Sequence, residues 1–160
     1  MQIYGDYVTN VHRALKEIDP NYMNCTAFVI AGSHSLRGKH QVDRMLDLIK
    51  VCRQTKLPFL GICNGYQLAV VEYQRNVMGN FNATSEEWMT GGYPIIKKRK
   101  ELKVGLHEGE SWWSYYEIDP QYDFQEPNNF FITQYHPEYQ SWKDHPHPVL
   151  VNFLKYAMAM

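Results

Sequence analysis

Residues Leu57 to Gln67 read Leu-Pro-Phe-Leu-Gly-Ile-Cys-Asn-Gly-Tyr-Gln, an apolar strand pattern that runs into a Gly-flanked corner and out into a helix. This segment narrows the choice of folds more than any other. A strand that ends at Gly61-Ile62-Cys63-Asn64-Gly65 and resumes as the helical stretch Tyr66 to Tyr73 holds its cysteine in a tight strand-to-helix turn, which the glycines permit sterically. Cys63 then stands at the first turn of a helix, where unpaired amides and the macrodipole favour the thiolate. The Asn64 amide, next after the cysteine, points where an oxyanion develops during attack on a carbonyl. A buried structural cysteine is the plain alternative.

The rest of the chain alternates strand and helix patterns. Gln2 to Val8 reads as a strand and Val11 to Ile18 as a helix stopped by Asp19-Pro20. Thr26 to Ala31 is an apolar strand. Val42 to Gln54 carries Val42, Met45, Leu46, Ile49 and Cys52 at helical spacing, so it packs on a sheet. The helix after Cys63 extends to about Asn76, with Gly79 as its exit. Strands follow around Tyr93 to Ile96, Lys103 to Leu106, Trp113 to Ile118 and Phe130 to Gln134, and a helix from His147 to Ala157 closes the chain. This order predicts an α/β fold: a doubly wound, flavodoxin-like, mostly parallel sheet with helices on both faces and ligands at the carboxyl ends of its strands.

Cys63 falls at such an end, and so does His136. The segment Phe130-Phe131-Ile132-Thr133-Gln134-Tyr135-His136-Pro137-Glu138 puts a histidine and a carboxylate two residues apart after an apolar strand. A thiol nucleophile needs a base, and the base an orienting partner. His136 can take the thiol proton and return it to a leaving amine, while Glu138 fixes its tautomer.

These residues resemble the class I glutamine amidotransferases, and within them the glutaminase domain of CTP synthases. The resemblance rests on Pro58 to Cys63 with Gly65 and Gln67 to Val70, and on Gln134 to Glu138. It extends to Arg75-Asn76-Val77-Met78-Gly79, to Asn82 to Trp88, to His147-Pro148-Val149-Leu150 with Phe153, and to Ala31 to Gly38. It covers about Phe28 to Phe153 and implies one amidotransferase-like domain over residues 1–160. It further implies a triad of Cys63, His136 and Glu138 acting through a thioester. The oxyanion falls to amides of the Gly32-Ser33-His34 turn and of Asn64, and Gln67 and Glu87 are in register with pocket residues. Glu87 can receive an ammonium group. No cofactor or metal is called for; His107 with Glu108 and Glu110, and His145 with His147, lack the spacing of a zinc site.

The departures matter equally. Where the family places an arginine for the glutamine carboxylate, this chain reads Ser111-Trp112-Trp113-Ser114-Tyr115-Tyr116-Glu117. The Tyr115 hydroxyl cannot replace an arginine's charge. The substrate expected is therefore a side-chain amide, either glutamine or a modified amide or amine-bearing small molecule. Trp112, Trp113, Tyr115 and Tyr116 could pack a sheet, line a remodelled pocket or form a partner surface. The interval before the Thr26 strand is too short for the strand and helix usual there, and no synthetase part is present. A separate synthetase partner, a homo-oligomer or a catalytically silent binding module are the alternatives.

Composition fits one domain: 160 residues with 44% hydrophobic content support one substantial core. A net charge of -1 gives no reason to invoke nucleic acid or an anionic membrane, and no apolar run suggests a membrane helix. Three cysteines without a paired motif suit a reducing cytoplasm.

Overall fold

The computed structural model describes residues 1–122 and 124–160. In order they form β1 (Gln2–Tyr4), α1 (Thr9–Ile18), β2 (Phe28–Ile30), α2 (Lys39–Thr55), β3 (Phe59–Ile62) and α3 (Asn64–Asn76). Then come β4 (Ala83–Ser85), β5 (Tyr93–His107), β6 (Glu110–Ile118), β7 (Phe130–Thr133), a 3₁₀ turn at Pro137–Gln140 and α4 (Pro148–Met158). No helix among the described residues is long and apolar enough to cross a membrane.

The central sheet is parallel, in the order β1-β2-β3-β7. Its side chains alternate between two apolar layers, as the period of a strand requires. Ile30 and Phe59 face α2 and α3, with Val42, Ile49, Leu68 and Val71. Val29, Ala31, Leu60 and Ile62 face α1 and α4, with Leu15, Leu150 and Phe153. The β3 strand is buried throughout, which explains why its sequence is a continuous apolar run.

Along this order the chain steps in one direction, yet α1 lies on the face opposite α2 and α3. The β1-to-β2 crossover is therefore opposite in hand to those that follow. The interval from Ile18 to Phe28 contains no helix or strand, in keeping with the shortening seen in the sequence.

Several expectations are corrected. The first strand ends at Tyr4 rather than Val8, because the Asp6 and Tyr7 amides both turn onto the Gly32 carbonyl, each at 3.1 Å. The stretches around Tyr93 and Lys103 are one strand, β5, with a pairing irregularity between Lys98 and Lys103. Moreover β4, β5 and β6 leave the central sheet and form a second one, in which β4 pairs parallel and β6 antiparallel to β5.

Candidate active site

Two glycines build the corner that carries Cys63. A Cβ on Gly65 would lie 2.1 Å from the Ile30 carbonyl oxygen, and one on Gly61 would lie 2.9 Å from the Gly65 carbonyl carbon. Without side chains they let the first turn of α3 press onto β2 and β3. Cys63 is left at the junction with φ 55° and ψ -100°, a left-handed conformation that costs a non-glycine residue about 1–3 kcal/mol. Its amide donates to the Thr133 carbonyl at 2.7 Å, fixing the corner to β7. Gln134 Nε2 lies 3.6 Å from Cys63 Sγ, and the Trp113 carbonyl oxygen of β6 lies 3.7 Å from it.

From the end of β7, His136 enters the same space. Its Nδ1 donates to Glu138 Oε1 at 2.7 Å, and Glu138 is fully buried. The 3₁₀ turn begun by Pro137 bends the chain enough for residues two apart to face each other. The His136 ring is also closely approached by the backbone at Gly32, where a Cβ would meet His136 Cε1 at 2.9 Å. Among the described residues Nε2 makes no hydrogen bond. Burial is the largest influence on this imidazole and disfavours its charge. The nearby Cys63 thiol and the hydrogen bond and charge of Glu138 together outweigh it and push the pKa up to about 10.

Cys63 and His136 open on one cavity of about 100 Å³, which Gly32, Ser33, His34, Asn64, Gln67, Glu87 and Tyr115 also line. The structure thus gathers every site residue expected from the sequence, Glu138 lying behind His136. One detail differs from expectation. The His34 amide does not face the cavity as a free donor: it binds Asp6 Oδ2 at 2.8 Å, as does the Ser35 amide at 2.9 Å. Asp6 also accepts from the Ser33 and Ser35 hydroxyls, at 2.9 and 2.8 Å. Burial opposes the charge on Asp6, but these donors prevail and hold its pKa down at about 2. Tyr7 completes the arrangement with its hydroxyl 2.9 Å from His34 Nδ1.

Sequence reasoning passed over Asp6 and Tyr7. Their signal was position: a carboxylate just beyond a strand's carboxyl end, where this architecture places its ligands.

The aromatic segment divides. Trp112 packs under the Lys103 ammonium, 3.6 Å from its ring centre, and beside Tyr135. Trp113, Tyr115 and Tyr116 line the cavity, with Trp113 and Tyr115 about half exposed at its mouth. Arg37 lines the same cavity and donates to Glu87 Oε1 from Nε at 3.1 Å and Nη2 at 2.9 Å. Burial, the dominant influence, raises the Glu87 pKa, and Arg37 opposes it.

Comparison with known proteins bears on the family and the fold. The family model described as Glutamine amidotransferase class-I matches residues 3–121. CTP synthase of Sulfolobus acidocaldarius is 32% identical over 174 residues, covering 76% of this chain and 33% of its own length. The Methanospirillum hungatei CTP synthase is 26% identical over 180 residues, covering 82% and 34%. This chain spans about a third of the length of these curated relatives. Among solved structures, the glutaminase domain of Trypanosoma brucei CTPS with bound acivicin shares the fold. Its TM-score is 0.77 at 17% identity, covering 99% of this chain and 93% of that one.

Proposed function

The chain belongs to the class I glutamine amidotransferase family, and from that premise we propose that residues 1–160 form one domain that hydrolyses a side-chain amide through a thioester at Cys63. The observation that carries this reading is the convergence of a strained cysteine corner and a Glu138-held imidazole on one cavity.

The imidazolium that the site favours at His136 holds the proton of the Cys63 thiol as Sγ attacks the amide carbon. The carbonyl oxygen becomes an oxyanion, stabilised by the Asn64 amide and by the Ser33 amide, which precedes the donors held by Asp6. Collapse breaks the carbon–nitrogen bond, and the proton on His136 leaves with ammonia. His136 then deprotonates a water that attacks the thioester, releasing the carboxylic acid and restoring the thiol. The ammonia acceptor would be a synthetase partner, for which exposed Trp113 and Tyr115 offer a docking edge.

The test combines ammonia release from glutamine with intact mass after treatment with acivicin. A single adduct at Cys63 and ammonia production, both abolished by Cys63→Ala, are expected. Absence of both, with and without a candidate synthetase, leaves only a silent binding module.

A further inference from the structure

A second cavity, of about 260 Å³, is lined by Tyr7, Trp113, His136 and Tyr139. Tyr7, Trp113 and His136 also line the cavity of Cys63, so the two meet at the imidazole. Three aromatic residues surround this second opening and keep much of their surface free, Tyr7 being 47% exposed, Trp113 52% and Tyr139 40%. All three are tied to the catalytic centre. The Tyr139 ring lies 5.4 Å from the His136 ring, centre to centre, with 31° between their planes. The Trp113 carbonyl oxygen lies 3.7 Å from Cys63 Sγ, and the Tyr7 hydroxyl lies 2.9 Å from His34 Nδ1. Among the described residues no carboxylate, ammonium or guanidinium lines this cavity.

His136 gives its proton to the nitrogen that leaves, so that nitrogen stands beside the imidazole when the carbon–nitrogen bond breaks. A secondary amide is trans, and a substituent on its nitrogen therefore points away from the acyl chain held in the Cys63 cavity. Beside the imidazole, the space outside that cavity is the aromatic one. Ammonia carries no substituent and needs no such room. We propose that the second cavity is a leaving-group subsite, which takes an aromatic substituent on the nitrogen of the scissile amide. This rests on the amide-hydrolase reading and adds to it a second product, a primary amine that bears the ring. Sγ bonds to the carbonyl carbon, the carbon–nitrogen bond breaks, and the nitrogen takes the His136 proton and departs as the amine. Water then cleaves the thioester to the carboxylic acid and the thiol. Rings that meet Tyr7, Trp113 and Tyr139 gain aromatic contacts beyond the area they bury. A charged substituent would be desolvated there with no carboxylate, ammonium or guanidinium to pair it.

Two amides with the same acyl part test this: γ-glutamyl-methylamide and γ-glutamyl-phenethylamide, whose leaving amines are both alkylamines and differ in the ring. Amine release is measured by chromatography. In the wild-type protein kcat/KM for the phenethylamide is expected to exceed that for the methylamide by about 10- to 100-fold. Tyr139→Ala and Trp113→Ala are expected to cut this ratio by at least about fivefold, and Tyr139→Phe, which keeps the ring, to retain it. Each ratio is taken within one variant, so a general loss of activity does not move it, and melting curves check that each variant folds. A ratio that neither alanine substitution moves overturns the proposal. It fails equally if the ring brings no gain in turnover or in binding, and the aromatic opening is then left as a partner surface. Calorimetry with the same two amides on the Cys63→Ala protein separates this from the hydrolase reading. Ring-dependent binding that Tyr139→Ala weakens, in a chain that releases neither amine nor ammonia, would overturn the hydrolase and leave the subsite standing. Ammonia from glutamine, with the phenethylamide neither bound nor cleaved, would do the reverse.

Discussion

The guanidinium of Arg13, on α1, donates from Nη2 to the carbonyl oxygen of Glu138 at 2.8 Å, joining the first helix of the chain to the turn that orients His136. Its Nη1 reaches the Ser141 carbonyl at 2.8 Å and Glu17 Oε2 at 3.0 Å, and the Trp142 ring lies 4.5 Å from the guanidinium carbon. Arg13 thus grips both ends of the segment that contains Glu138. Replacing it with Met removes charge-assisted donors worth about 1.5–3 kcal/mol apiece. A lowered melting temperature and a kcat reduced by about 3- to 30-fold at nearly constant KM are expected, because a displaced imidazole harms the reaction more than binding. Lys, with no fork, should rescue little. Steady-state kinetics and thermal melts of Arg13→Met and Arg13→Lys decide it; unchanged kcat in both would release Arg13 from this role.

Glu138→Gln keeps the shape but removes the charge beside His136. The folded-state pKa of this histidine is raised from 6.5 to about 10, so its contribution to stability is fully present below 6.5 and is lost as pH rises through 10. Without the Glu138 charge the imidazolium is less favoured. The alkaline limb of the kcat/KM profile should move to lower pH, and kcat should fall by about 100-fold or more. Unfolding free energy should also vary less between pH 6.5 and 10 in the variant. A profile with an unmoved alkaline limb would show that Glu138 does not tune His136.

What was legible in the sequence is what is local. The Cys63 corner and the His136–Glu138 pair span a few residues, so spacing and turn chemistry define them. Asp6 meets His34 across 28 positions, Arg13 meets Glu138 across 125 and Arg37 meets Glu87 across 50. No local pattern tells Asp6, Arg13 or Arg37 from solvated charges or gives their partners, and only the topology brings the pairs together. The same reason separates the two sheets. A strand's alternation says that it pairs, not with which neighbour, so it does not separate from the central sheet a β5 that lies between β4 and β6.

Asp6 lends the Ser33–Ser35 turn an order that its side chains do not otherwise impose. Its folded pKa of about 2 lies below the ordinary 3.8, so its stabilisation is present above 3.8 and disappears as pH falls through 2. Asp6→Asn should therefore be less stable than wild type at neutral pH, with the two unfolding curves converging toward pH 2. Its kcat at neutral pH should drop several-fold, because the turn that carries Ser33 loosens. Denaturant titrations at pH 6, 4 and 2 measure the first effect. Curves that stay parallel throughout would mean that the Asp6 charge adds nothing to the fold.

Gly32 isolates geometry from charge. Its backbone lies outside the left-handed region, so alanine meets no torsional obstacle there, and the only cost is the 2.9 Å approach of the new Cβ to His136 Cε1. The imidazole cannot swing away freely, being almost fully buried and bonded to Glu138 through Nδ1. Either the ring shifts by a few tenths of an ångström or β2 withdraws from it. In both cases Nε2 moves relative to Cys63 Sγ, while the Glu87 side of the cavity is left as it was. Gly32→Ala should therefore keep the KM for glutamine within about twofold and lose at least about tenfold in kcat, since a proton donor displaced by a fraction of an ångström loses alignment with the reacting atoms. Alkylation of Cys63 by iodoacetamide, which needs the sulfur and not a proton returned to a leaving group, should change less than kcat. A variant with wild-type kcat would show that the ring has room to relax, and that the contact between Gly32 and His136 is not what places the base.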